Sequence, residues 1–96
     1  MEKIHVILFY KFIELESLEA LQRKHLRFLN ENELKGRILI ANEGINGSVS
    51  GSKKQVEKFK EFLTSDEKFK DIVFKEEVGL EHPFRRINVL IRNEIV

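Results

Sequence analysis

The sequence predicts a small α+β domain, a split β-α-β sandwich in which two helices cover one face of a mainly antiparallel sheet. Two observations predict this class. Apolar runs of strand type alternate with two segments of helical periodicity in the order β-α-β-β-α-β, and one more strand follows. The chain has 96 residues, 42% of them hydrophobic, which suits one domain with its own core. We therefore expect residues 1–96 to form a single domain.

The first strand is predicted at residues 4–13, where both alternating sets of side chains are largely apolar. Such a strand is expected to be covered on both sides. Ser17 is a favourable N-cap residue for the first helix, which we expect to end near residues 30–32. The inward stripe of this helix is predicted to be Leu18, Leu21, His25, Phe28 and Leu29.

Two strands are next predicted at residues 37–41 and 45–50, joined by a tight turn at 42–44. Ser52 then begins the second helix, because Gln55 three residues later completes the capping-box pattern. The buried stripe of this helix is predicted to be Val56, Phe59, Phe62 and Leu63.

The last two strands are predicted at residues 71–77 and 86–92. A turn at residues 79–83 separates them, so we expect the final strand to be an extra hairpin strand. We expect four strand residues to face the helices: Val49, Ile87, Val89 and Ile91.

Alternation along the strands predicts that the sheet face without helices is polar and able to bind a partner. Its predicted members are Asn46, Ser48, Ser50, Arg86, Asn88 and Arg92. The first strand adds one of its two alternating sets, and the sequence leaves open which one. The first of these sets is His5, Ile7, Phe9 and Lys11. Phe9 is the candidate base-stacking residue on this strand, although core packing is the simpler interpretation.

Composition excludes several classes of site. The chain contains no cysteine, so it has no disulfide, thiolate metal site or cysteine nucleophile. Its three histidines are widely separated, so no metal site is expected. The formal net charge of +1 gives no general attraction to polyanions, and any such affinity needs a local patch. The apolar run at residues 4–9 is too short to cross a bilayer.

Residues 41–51 are the most specific segment, because glycines, asparagines and serines interrupt an otherwise apolar and charged sequence. Gly47 and Gly51 precede a helix N-terminus, where amides attract anions, but an ordinary strand-to-helix turn is the simpler interpretation. Glu43 and Asn46 are candidates to orient a substrate amide, accept a proton or bridge to a neighbouring domain. Solvated turn residues are the simpler interpretation here too.

The segment His82-Pro83-Phe84-Arg85-Arg86 is the other candidate site. Proline restrains the preceding residue to extended geometry, which fixes where the imidazole points. The two arginines are able to grip a phosphate bidentately. Alternatively, the phenylalanine anchors this segment in the core and the arginines are ordinary surface charges. The sequence leaves both interpretations open.

The stretch GRILIANEGINGSVSG, residues 36–51, resembles the amino-terminal domain of the rhodanese-related tRNA uridine hydroxylases. The resemblance implies a ferredoxin-like, acylphosphatase-like fold for nearly the whole chain. It continues through residues 9–12, 74–76, 82–84 and 93–96.

The same resemblance implies that the chain is a fragment of a longer cytoplasmic protein and that the fragment has no catalytic activity on its own. A following rhodanese domain is expected to carry the catalytic cysteine and to hydroxylate the wobble uridine of tRNA at carbon 5 with molecular oxygen. This domain is expected to hold no cofactor and to have the rhodanese domain and tRNA as partners. The residues expected to bind substrate or to dock that domain are Glu43, Asn46, Gly47, Ser48, His82, Arg85 and Arg86. We expect them to project to a shared side of the sheet.

Two further function classes stay open. An acylphosphatase-type hydrolase cradles phosphate in the loop after the first strand. That loop reads Ile13-Glu14-Leu15-Glu16 here, without glycine and with two acids that repel an anion, so the hydrolase interpretation is weak. A purely structural interaction module is the other class, and it predicts an apolar surface that becomes covered in the full protein.

Overall fold

A computed structural model describes residues 3–94 as a five-stranded sheet with two helices on one face. Four residues lie outside the described range: Met1, Glu2, Ile95 and Val96. They are the ends of the predicted domain, and the last two also belong to the resembling stretch 93–96. The elements in chain order are β1 (Ile4–Phe12), α1 (Leu18–Glu31), β2 (Lys35–Ala41), β3 (Gly44–Gly51), α2 (Lys53–Thr64), a short 3₁₀ helix (Glu67–Phe69), β4 (Phe74–Gly79) and β5 (Ile87–Ile91). The predicted fold class is confirmed.

The strands lie in the order β4-β1-β3-β2-β5. All neighbouring pairs are antiparallel except β2 and β5, which are parallel. The predicted hairpin between the last two strands is therefore wrong, because they occupy opposite edges of the sheet. The physical reason is the position of α1, which packs against β5 and covers its apolar side chains beside β2. Gln22 of α1 also donates a hydrogen bond of 2.7 Å to the Val89 carbonyl.

The hydrophobic core lies between the helices and the sheet. Phe59 of α2 is fully buried and its ring centroid lies 5.5 Å from that of Phe9 on β1. Val49 and Val89 are buried in the same layer, and Ile87 packs against it, as predicted. This packing fixes which face of the sheet is left without helices.

The two helices begin differently. Ser52 accepts a hydrogen bond from the Gln55 amide at 3.2 Å, and the Gln55 side chain accepts one from the Ser52 amide at 2.7 Å, so the predicted capping box is confirmed. Ser17 precedes α1 but makes no side-chain cap hydrogen bond. Its backbone is left-handed, at φ 52° and ψ 50°, whereas an N-cap residue is normally extended. The predicted capping role of Ser17 is therefore wrong.

Candidate functional site

A groove of about 840 Å³ lies on the sheet face that carries no helix. Register explains its lining, because Leu8 of β1 pairs with Ser48 of β3 and Tyr10 pairs with Asn46. The alternate set of β1 therefore faces outward, while Ile7 lies in the core. We call this surface the open-face groove, and its main lining side chains are Leu8, Tyr10, Phe12, Arg37, Leu39, Asn46, Ser48, Val73, Lys75 and Phe84.

Exposed apolar side chains distinguish the open-face groove. Tyr10 is 65% exposed and Phe12 is 67% exposed, and their rings meet edge to face with centroids 6.0 Å apart. Val73, at 81%, extends the apolar rim. Sequence reasoning missed both aromatic residues as site candidates and considered Phe9, which is buried in the core at 3% exposure. The groove joins aromatic and aliphatic side chains in one concave surface, as protein-binding sites do.

The charges around the open-face groove are of two kinds. The charge of Lys11 is paired within the domain. Its ammonium group contacts the Asp71 carboxylate and donates a 2.7 Å hydrogen bond to the Lys68 carbonyl. The lysine holds the pKa of the Asp71 carboxyl below its ordinary value. Arg37 and Lys75 form no ion pair with any residue between 3 and 94. Their charges therefore remain available to a partner.

The glycine-rich segment is explained largely by backbone packing. The Ile13 amide donates to the Glu43 carbonyl at 3.0 Å and the Leu15 amide to the Asn42 carbonyl at 2.8 Å. Asn42 in turn donates from its side-chain amide to the Leu15 carbonyl at 3.0 Å. The turn between β2 and β3 is thus tied to the loop that follows β1. Because two amides of that loop are engaged in this way, they cannot cradle a phosphate as an acylphosphatase-type hydrolase would require.

Two glycines of this segment make room for neighbours. Gly44 has φ 153°, and a Cβ atom there would lie 2.1 Å from the Lys11 carbonyl oxygen of β1. At Gly47 a Cβ atom would lie 2.6 Å from the Phe9 ring, so the glycine leaves the space that this core ring fills. These positions need glycine for packing whether or not the segment binds a ligand.

The predicted site residues fall into separate places. Asn46, Gly47 and Ser48 line the open-face groove. Glu43 lies in the turn that precedes β3, whereas His82 contacts Ser50 near the far end of that strand. At the rise of an extended strand these two places are about 20 Å apart. The expectation of one shared surface is therefore corrected to two surfaces, and the roles of the individual residues stay predictions.

The contact of His82 holds the loop between β4 and β5 in place. Its Nδ1 atom shares a hydrogen bond of 2.8 Å with the Ser50 hydroxyl, which is fully buried. A buried hydroxyl cannot attack a substrate, so this pair is structural and not a catalytic dyad. Burial first, and the charge of Lys35 second, lower the pKa of His82.

Beyond His82, the same loop anchors two arginines at the end of the sheet. The Lys35 ammonium group donates to the Arg85 carbonyl at 3.2 Å, and the Gly36 amide donates to the Arg86 carbonyl at 3.1 Å. Both arginine side chains are exposed, and neither forms an ion pair within the described part of the chain. We call the concave surface of about 750 Å³ beside them the cationic cleft. Its ionisable side chains are Glu33, Lys35, His82, Arg85 and Arg86.

An ionic network lies on the helix-covered side, away from both surfaces. The Glu76 carboxylate accepts from Lys60 at 2.7 Å and contacts the His5 Nδ1 atom at 2.7 Å, and Lys53 approaches at 3.4 Å. Lys60 first and His5 second hold the pKa of Glu76 at about 2, against an ordinary 4.5. This network ties β1 and β4 to α2.

The comparisons with known proteins give the family. The family model described as UPF0176 acylphosphatase-like domain matches residues 4–95. The chain belongs to this family. The resemblance found in residues 36–51 is therefore confirmed, together with the acylphosphatase-like fold. No helix within residues 3–94 has the length and apolar character needed to span a membrane.

Curated relatives share this domain. The chain is 43% identical over 91 residues to a protein of Staphylococcus carnosus and 45% identical over 95 residues to one of Streptococcus agalactiae, both named tRNA uridine(34) hydroxylase. These matches cover 95% and 99% of the chain but only 29% of each relative. The dark-state structure of the BLUF protein BlrB shares the fold, with a TM-score of 0.78 at 12% identity over 96% of this chain and 75% of that one.

Proposed function

We propose that this chain is the amino-terminal domain of a tRNA uridine(34) hydroxylase and that its open-face groove docks the remainder of that protein. The observation that carries the proposal is the exposure of two aromatic side chains in the groove, Tyr10 at 65% and Phe12 at 67%. The chain matches only 29% of the length of its relatives, so the full-length protein has further polypeptide that could cover them. Contiguous apolar surface of this kind is typical of an interface with a partner.

The location of β5 supports the remainder of the polypeptide as the occupant. Ile91, the last residue of β5, pairs with Ile40, and Ile40 pairs with Ile45 near the start of β3. Phe12 pairs with Gly44 at that same end of the sheet. The polypeptide that follows β5 therefore leaves the sheet at the end where the groove is most exposed. A following domain needs only a short connection to reach it.

The chemistry is assigned to the parts outside this chain. The chain has no cysteine, and the resemblance gives the catalytic cysteine to a following rhodanese domain. We propose that this domain contributes no cofactor, that molecular oxygen is the co-substrate of the whole protein, and that the protein acts on tRNA in the cytoplasm. The role of the present domain is to hold the catalytic domain and the tRNA in a productive arrangement.

A second candidate role for the open-face groove is contact with the tRNA itself. Tyr10 and Phe12 are able to stack on unpaired bases, and neither Arg37 nor Lys75 forms an ion pair with another residue of the range 3–94. The aliphatic side chains Leu8 and Val73 in the same groove favour a protein partner instead.

The test uses the full-length protein with Tyr10→Ser and Phe12→Ser together. Docking predicts that the double variant hydroxylates uridine 34 more slowly, by mass spectrometry of tRNA, and that a protease separates its two domains more readily. Val78→Ser with Leu80→Ser is the matched control, because these residues are 53% and 64% exposed outside the groove.

Unchanged proteolysis and hydroxylation in the groove variant would refute docking. Unchanged proteolysis with weaker tRNA binding would instead establish base stacking as the role of the groove.

A further inference from the structure

We propose that the cationic cleft binds the phosphate backbone of tRNA, as a contact separate from the open-face groove. The inference rests on the proposed function, because the family supplies tRNA as the partner. It deepens that function by identifying which part of the domain meets the nucleic acid and which chemical group it recognises.

The cleft carries an excess of positive charge that the domain does not neutralise. Lys35, Arg85 and Arg86 contribute three cations, while Glu33 contributes the acidic group among the lining residues. Neither arginine pairs with a carboxylate within residues 3–94. Because the net charge of the whole chain is only +1, this local excess is the kind of patch that affinity for a polyanion requires.

The backbone beneath the arginines is fixed before any ligand binds. The Arg85 carbonyl accepts from the Lys35 ammonium group and the Arg86 carbonyl accepts from the Gly36 amide. Two residues upstream of Phe84, His82 is held by the buried Ser50 hydroxyl at 2.8 Å. A segment anchored in this way loses less conformational freedom on binding than a mobile arginine-rich tail would lose.

The side-chain chemistry favours phosphate. Guanidinium groups present planar forks of N–H donors that match phosphate oxygens bidentately. The cleft lining combines these charged side chains with the aliphatic residues Ile4, Leu26 and Leu34, whereas the open-face groove presents the exposed aromatic side chains Tyr10 and Phe12. Phe12 pairs with Gly44 at one end of β3, and His82 contacts Ser50 about 20 Å further along that strand. A domain docked at the exposed aromatic end of the groove therefore leaves the cleft accessible to the RNA.

The experiment measures binding of the 96-residue chain to a tRNA anticodon stem-loop by fluorescence anisotropy at several salt concentrations. Arg85→Ala with Arg86→Ala removes two phosphate contacts. We expect affinity to fall about tenfold and the slope of log affinity against log salt to become shallower by about 1.4, at about 0.7 per phosphate of single-stranded RNA. Arg23→Ala with Arg27→Ala is the matched control, because it removes the same charge from the outer surface of α1.

A second variant raises affinity instead of lowering it. Glu33→Gln removes the acidic group from the cleft lining, so we expect binding to strengthen about two- to threefold through loss of one repulsive charge. Loss of structure in a variant would not strengthen binding, so this gain separates a direct electrostatic role from a folding defect.

Each outcome bears on the inference. Equal losses in the two arginine pairs would overturn it, because they would indicate diffuse charge and not a site. Unchanged binding in the Arg85 and Arg86 variant would overturn it as well. Failure of the full-length protein with unchanged sequence to hydroxylate tRNA would refute the proposed function. Normal hydroxylation with an unchanged salt slope in the arginine variant would refute only the cleft.

Discussion

His25 provides the most quantitative prediction about this fold. It lies on α1 at 2% exposure, with its ring centroid 5.2 Å from that of Phe62. Its Nδ1 atom donates to the Leu21 carbonyl at 3.1 Å, while the buried Nε2 atom has no hydrogen-bond partner within residues 3–94. Desolvation first, and the neighbouring charge of Lys24 second, lower the pKa of His25 to about 4 from an ordinary 6.5, and Asp66 opposes them.

The direction of the effect follows from proton binding. Below about pH 6.5 the unfolded chain protonates this histidine, whereas the folded protein resists protonation until about pH 4. Stability is therefore complete above pH 6.5 and decreases as the pH falls towards 4. At about 1.36 kcal/mol per pKa unit, His25 lowers the free energy of unfolding by about 2 kcal/mol between pH 7 and pH 5.

The assay is urea denaturation of the original chain and of His25→Phe at pH 7 and pH 5. Phenylalanine keeps an aromatic ring beside Phe59 and Phe62 and removes the titrating group. We expect the variant to lose about 2 kcal/mol less than the original chain when the pH falls from 7 to 5. His82 also has a lowered pKa, but it is present in both proteins and cancels in the comparison. Equal pH dependence in the two proteins would refute the reasoning.

Three further predictions concern the contacts that hold the domain together, each measured as the free energy of unfolding. Gly47→Ala forces a methyl group against the Phe9 ring at 2.6 Å and should cost about 1–3 kcal/mol, whereas no loss would mean that the core adapts freely. Ser52→Ala removes the cap of α2 and should cost about 1 kcal/mol at any pH, and a loss confined to acid would contradict capping. Glu76→Gln breaks the pair with Lys60 and should cost about 1 kcal/mol at pH 7, since the pair is partly exposed to solvent. Because the folded pKa of Glu76 is about 2, this difference should shrink as the pH falls from 4.5 towards 2, and a constant difference would contradict the ionic origin.

The sequence was sufficient to predict the fold class because its local signals agree. Both helices carry periodic apolar stripes, and Ser52 with Gln55 forms the capping box that their spacing predicts. The side of the sheet that Val49 and Val89 face was also predictable, because polar residues alternate with them.

The candidate site was harder to predict because β1 is apolar in both of its alternating sets. The periodicity of β1 does not show whether Phe9 or Tyr10 faces the core. The strand register shows it, because Tyr10 pairs with Asn46 on the open face. The sequence also did not show at which edge of the sheet β5 lies. The alternation of polar and apolar residues in β5 predicts which face each side chain points to, but not which strand β5 pairs with. The loop that contains His82 begins at the Gly51 end of β3, because Gly79 at the end of β4 pairs with Ile4 and the neighbouring His5 pairs with Gly51. Glu43 lies at the opposite end of β3, which separates it from His82.

Hydroxyl-radical footprinting of Tyr10 and Phe12 tests the central claim most directly, comparing the 96-residue chain with the full-length protein. If the open-face groove docks the remainder of the polypeptide, oxidation of both side chains falls several-fold in the full-length protein, while oxidation of Val78 and Leu80 stays unchanged. Equal oxidation of Tyr10 and Phe12 in the two proteins would contradict the docking assignment.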